Sequence, residues 1–204
     1  MPIQKLINYF GSILPLSDQE IEAVARVSIE RKIKRRQFIL QDGDRCRHYT
    51  FVVSGCFKMY SVDPEGKEHN LQFGAENAWL TDMASFHSIK PSDLKNPNAG
   101  IPSRLYIEAI EPSSIIQIGL MDLVFLFENF PKFNRIFRII IENNFIELQE
   151  RVLQNISCTA EQRYCAFLNQ YPELSKRLPN TQIASFLGIT PEFLSSIRKT
   201  IANR

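Results

Sequence analysis

Along the 204 residues, hydrophobic and polar positions change period twice. At the start, Ile3, Leu6, Ile7, Phe10 and Leu14 recur at helical spacing. "SDQE", Ser17 to Glu20, matches the capping box, in which the Ser and Glu side chains each satisfy an orphan backbone N–H. Residues 1 to about 30 are therefore predicted to be a helical lead-in. From Lys34 to about Ile118 the period shortens. "HYTFVVSG", "CFKMYSV", "HNLQF", "RLYIEAI" and "SIIQIG" are short, rich in β-branched and aromatic residues, and separated by turn signals, which predicts an all-β body. "DPEG", Asp63 to Gly66, has the preferences of a type I turn and should join two antiparallel strands. "HSIKPSDLKNPNAGIPSR", with three prolines, is predicted to be a long loop.

From Met121 the helix period takes over. Phe133, Phe137, Ile141, Phe145, Leu148 and Val152 form a stripe widened by Ile136, Ile140 and Leu153. So wide an apolar face needs two surfaces to pack on. The β body supplies one, and a second copy of the same helix is predicted to supply the other, with Phe137, Ile141, Phe145, Leu148 and Val152 in a homodimer interface. Thr159 and Gln162 form another capping box, opening a helix that Pro172 should end.

The C-terminal stretch "RLPNTQIASFLGITPEFLSSIRK" has the signals of two short helices. Ile183 and Leu187 point inward, Ala184 allows close approach, and Gly188 suits a left-handed cap. Thr190 is a good N-cap and Pro191 a good first residue for the next helix, so the unit reads as a helix-turn-helix. On its second helix Leu194, Ile197 and Ile201 face the core. Glu192, Ser195, Ser196 and Lys199 share the opposite face, small and polar enough for a DNA major groove. Glu192, nearest the helix start, should set base preference, while Arg198, Lys199, Thr181 and Gln182 suit backbone contacts.

Charge supports that assignment. Residues 176–204 hold five Lys or Arg against one acid, a net +4 in a chain of +2, which leaves −2 for residues 1–175. The basic run "ERKIKRRQ" near the start alternates charge with Ile33 and suits a solvated strand face. Four scattered cysteines and three dispersed histidines make no metal-ligand spacing, and no nucleophile–base pair points to an enzyme. Nothing reaches the ~18 to 20 apolar residues needed to cross a bilayer, and the start lacks a cleavage site, so a cytoplasmic protein is expected.

In order along the chain, "LQDGD", "FVVSGCFKMY", "FGAENAW" with "TDMASF", "IEAIEPSSIIQI", "TAEQRYCAFL" and "IASFLGITPEFLSSIRK" resemble the Crp/Fnr family of bacterial transcription regulators. The resemblance covers nearly the whole chain and implies an α+β fold. Residues 1–130 would be a cyclic-nucleotide-binding-like β-roll (a double-stranded β-helix), 131–156 a dimerisation helix, and 157–204 a helix-turn-helix domain of winged-helix type. It implies double-stranded DNA, a second copy and RNA polymerase as partners, with an unidentified small-molecule effector or none. No cysteine precedes Cys46 and the three histidines are isolated, so no cofactor is expected, and no membrane. In the family's cAMP-binding cassette, Phe-Gly-Glu precedes a short helix and then Arg-Ser/Thr-Ala. Phe73 and Gly74 match its start, Ala75 stands for the Glu, Ser103 for the Arg, and Glu76 and Arg104 each lie one residue off. These five positions other than Ala75 (Phe73, Gly74, Glu76, Ser103 and Arg104) are the candidate effector pocket, and cAMP is not expected to bind there. Glu192 matches the family's base-reading glutamate, and Thr190 and Ser196 flank it, Ser196 in the place of the usual arginine. The favoured function is a homodimeric, sequence-specific DNA-binding regulator. A sensor or protein-interaction module of the same fold, without tight DNA binding, is the alternative, to which Ser196 and the short C-terminus point.

Overall fold

The structure is a computed structural model that describes residues 1–93 and 95–203. Helices α1 (Pro2–Ile13) and α2 (Asp18–Val27) lead into the β body. The capping box at Ser17 is formed in both directions, fixing the start of α2. Among the described residues eight antiparallel strands follow: β1 (Ser28–Ile33), β2 (Phe38–Leu40), β3 (His48–Ser54), β4 (Phe57–Val62), β5 (Glu68–Gly74), β6 (Trp79–Leu80), β7 (Tyr106–Ala109) and β8 (Ser113–Gly119). They form two four-stranded sheets ordered β1-β8-β3-β6 and β2-β7-β4-β5, the roll that the sequence predicts. The β period begins at Ser28, six residues before the change seen in the sequence, because β1 is almost wholly exposed and carries no alternation. Asp63 and Gly66 close the β4–β5 turn, with Gly66 at φ +82.

Short helix α3 (Met83–His87) interrupts the roll after β6. After β8 come α4 (Leu120–Asn129) and α5 (Lys132–Ser157), with the break at Pro131. Tyr49 to Val53 are buried without alternation, because α1 covers the outer face of β3. Tyr9 meets Phe51 at 5.2 Å between ring centroids and Phe10 stacks on Trp79 at 5.7 Å.

The apolar stripe of α5 divides at its middle. Phe133, Ile136, Phe137 and Ile140 are buried in the protomer, whereas Ile141, Phe145, Leu148, Val152, Leu153 and Ile156 are exposed. Phe137 therefore lies in the core of the protomer, and its expected place in a dimer interface is corrected. It is 2% exposed and packs against Trp79 and Phe127 at 5.4 Å and Phe10 and Tyr49 at 5.7 Å. The apolar core of the roll takes in only the first two to three turns of the helix.

The C-terminal helices are α6 (Ala160–Gln170), α7 (Pro172–Arg177), α8 (Asn180–Leu187) and α9 (Pro191–Ala202). The Thr159 capping box opens α6. Pro172 both follows the end of α6 and sits at the first position of α7, where its missing N–H costs nothing. Among the described residues no helix is long and apolar enough to cross a membrane, and no His, Cys, Asp and Glu group is placed to hold a metal.

Candidate nucleic-acid interface and effector pocket

Helices α8 and α9 are joined by a three-residue turn. Gly188 occupies the left-handed region at φ +67, its N–H returning to the α8 carbonyls, and the Thr190 hydroxyl accepts from the Phe193 N–H. Ile183, Ala184, Leu187, Leu194 and Ile197 form the buried seam, which fixes the rotation of α9. Glu192, Ser195, Ser196 and Lys199 are all exposed on its other side. The Ser195 hydroxyl donates to the Pro191 carbonyl at 2.9 Å, which leaves its oxygen lone pairs as acceptors toward solvent. Arg198 points sideways and donates to the Asn180 side chain. Thr181 is exposed at the start of α8. Phe193, beside Glu192, is 52% exposed, an outward aromatic that the spacing of Leu194, Ile197 and Ile201 does not mark. An aromatic edge there suits contact with a thymine methyl. Arg204 lies outside the described residues.

Gln182 does not join this face. Its side-chain carbonyl and its backbone carbonyl both accept from the Asn70 amide, at 2.9 and 3.1 Å. Asn70 belongs to β5, an edge strand, and the Asn70 N–H is taken up by the Ser185 hydroxyl at 3.2 Å. Ser185 in turn donates to the Glu68 carbonyl at 2.9 Å, so α8 covers an edge that would otherwise offer unpaired backbone groups.

Arg177 strengthens the same docking. Its guanidinium donates to both Glu76 oxygens, at 2.9 and 3.2 Å, and to Glu111. Glu76 also accepts from the Gly55 N–H at 2.8 Å. Gly55 is needed there: its φ is +99, and a Cβ would meet the Ser113 hydroxyl at 2.1 Å. Burial pushes the Glu76 carboxyl up, but its hydrogen bonds, those with Arg177 foremost, outweigh that and hold its pKa below the ordinary value. The same bonds raise that of Arg177. A lowered carboxylate pKa stabilises the docked state above the ordinary Glu value of about 4.3, and this contribution is lost as pH falls through the lower docked value. Arg177→Ala is expected to loosen α8 from β5 at neutral pH by roughly 1 kcal/mol, the upper end for partly exposed pairs. The Asn70 amide, held by Ser185, should then exchange its hydrogen several-fold faster, and unchanged exchange at Asn70 would show that the bridge contributes nothing to docking.

The expected effector residues are not brought together. Phe73 faces the C-terminal helices, 5.1 Å from the Phe186 ring. Gly74 ends β5 against Leu80, Glu76 is bound to Arg177, and Arg104 is exposed. The acid that precedes the short helix is Asp82, seven residues beyond Ala75: its side chain caps α3 by accepting from the Ala84 and Ser85 N–H groups. Ser103, 1% exposed, donates to Asp82 at 2.7 Å. "FG" at the end of β5 resembles the cassette start only in composition; two-residue β6 intervenes before the helix. A mostly apolar cavity of about 440 Å³ lies between the roll, α5 and the C-terminal helices, with Met59, Met83, Phe145 and Leu148 among its lining. Arg151, also on its wall, donates to the Leu71, Asn70 and Phe186 carbonyls and stacks on the Phe186 ring at 4.0 Å.

Fold and site define a class: a cyclic-nucleotide-binding-type roll coupled through a long helix to a helix-turn-helix. Residues 30–130 match the family described as "Cyclic nucleotide-binding domain". Regulatory protein HlyX of Actinobacillus pleuropneumoniae is 26% identical over 195 residues, covering 89% of this chain and 75% of the relative. The fumarate and nitrate reduction regulatory protein of Vibrio cholerae is 25% identical, with coverage of 89% and 72%. Among solved structures, a putative transcriptional regulator of the Crp/Fnr family from Eubacterium rectale shares the fold, with a TM-score of 0.70 and 17% identity over 96% of this chain and 88% of that one. Over most of its length the chain is thus similar in sequence to these regulatory proteins and in fold to a Crp/Fnr regulator.

Proposed function

We propose that the chain binds double-stranded DNA as a two-fold homodimer, with α9 of each copy in a major groove. The observation that carries this reading is the exposed polar face of α9, fixed by a three-residue turn and a buried seam. Glu192 reads a base by accepting from cytosine N4, Ser195 and Ser196 add hydroxyl contacts, and Lys199 reaches guanine or phosphate. Thr181, Thr190 and Arg198 suit the backbone, where contacts position without specifying. Gln182 joins them only if α8 leaves β5. On this reading residues 1–130 sense, 131–156 join the copies, and 157–204 read DNA in the cytoplasm, with RNA polymerase as a further partner and no catalytic activity. The Asp82–Ser103 pair supports a regulator that does not respond to cAMP: a serine hydroxyl cannot supply the charge and bidentate donors that an arginine gives a phosphate.

Glu192→Ala is expected to relax preference at one base pair per half-site by roughly 1 to 3 kcal/mol. Arg198→Ala should weaken all sequences alike and flatten the salt dependence. Binding titrations against a panel of single-base operator variants at two salt concentrations separate the two. A preference unchanged by Glu192→Ala but altered by Arg198→Ala would reverse the roles.

A further inference from the structure

A second cavity, also of about 440 Å³, opens at one end of the roll and shares no lining residue with the groove beside α5. Its apolar part is formed by Ile39, Leu40, Leu80 and Ile107, and its polar part by Arg31, Arg45, Arg47, His48, Thr50 and Gln117, with the carboxylate of Asp44. Positive charge dominates. Asp44 is turned to its own loop, where it accepts from the Gln41 N–H at 2.9 Å. Among the described residues neither Arg31 nor Arg45 forms an ion pair; Arg31 donates to Gln117 at 2.8 Å and Arg45 to the Gly43 carbonyl at 3.2 Å. The Arg45 Nε is buried with no hydrogen-bond partner, a cost that a protein seldom leaves unrelieved. Gln117 and Thr50, 4% and 3% exposed, bond to each other at 3.2 Å and hold the Arg31 head in place. Arg47 donates to the Asn96 carbonyl at 2.6 Å, tying the long loop to the cavity wall. Burial first, and then the charge of Arg31, lowers the His48 pKa, so at neutral pH its ring adds hydrogen bonding and not charge.

We propose that this cavity binds a small organic anion: a phosphate or carboxylate head held by Arg31 and Arg45, and an apolar body against Leu40 and Ile107. Arginine fits either head because its planar fork donates two parallel hydrogen bonds, and the buried Arg45 Nε is a donor waiting for an acceptor. Arg31 belongs to the basic run near the start of the chain; it is exposed like Glu30 and Lys32 beside it, but Gln117 holds its guanidinium at the cavity. The site is separate from the DNA-reading face and stands whether or not α9 reads DNA.

Phenyl phosphate supplies both parts of such a ligand, and its binding to the full-length protein can be measured by titration calorimetry. It should bind at least about tenfold more tightly than phenol, which lacks the charge, and than inorganic phosphate, which lacks the ring. Inorganic phosphate should compete with it in the wild-type protein, a result that needs no variant. The double variant Arg31→Gln/Arg45→Gln should weaken phenyl phosphate at least about tenfold while circular dichroism shows an unchanged fold. Absence of phenyl phosphate binding at millimolar concentration, equal binding of phenol, or undiminished binding by a folded double variant would each overturn the proposal.

Discussion

Phe145→Glu is expected to give a folded monomer that no longer holds an operator of two half-sites. Phe145 is 57% exposed, and around it Ile141, Leu148, Val152, Leu153 and Ile156 make a continuous apolar face on the second half of α5. Large contiguous apolar surface on a soluble chain marks an interaction site. A two-fold interface repeats every contact, so the substitution places two carboxylates in it. At ~2 kcal/mol for each buried unpaired charge, a conservative figure, association weakens by about a thousandfold. The protomer should stay folded because its core ends before Ile141. Sedimentation should give a dimer for the wild type and a monomer for the variant. A wild-type monomer at micromolar concentration would remove the dimer from the account, and a dimeric variant would move the interface elsewhere.

Phe137→Ala should do the opposite: leave the association surface intact and destabilise the protomer. The ring sits among Phe10, Tyr49, Trp79 and Phe127, drawn from α1, β3, β6 and α4, and so ties the roll to the long helix. Its removal leaves a cavity that these aromatic neighbours can only partly close, at about 3 to 5 kcal/mol. Urea denaturation at fixed protein concentration measures the loss. A change under 1 kcal/mol, or a monomer at native conditions, would return Phe137 to the interface that the sequence pattern suggested.

That contrast explains what the sequence could and could not disclose. The capping boxes at Ser17 and Thr159, the Gly188 turn and the inward seam of α9 depend on residues within four positions of one another, and each was legible. The stripe on α5 was legible as a stripe. Its division between roll and solvent was not, since nothing in the spacing says where the covering sheet ends. The cassette register failed for a related reason. "FG" is too short a mark, and only the fold reveals that β6 separates it from Asp82 and α3. The Arg177 bridges to Glu76 and Glu111 span 101 and 66 residues, and Arg31 meets Gln117 across 86. Pairings at such separations leave no local pattern. The docking of α8 on β5 follows the same rule, and it takes Gln182 away from the backbone contacts for which its place beside Thr181 on the first helix suited it.

The central claim, that two copies of α9 read DNA across a two-fold axis, is tested most directly by selecting bound sequences from random double-stranded DNA with the purified full-length protein. The account predicts an enriched inverted repeat whose half-sites lie about one turn, 10 to 10.5 bp, apart centre to centre. Recovery of no enriched sequence, or of a single half-site without its inverted partner, would contradict it.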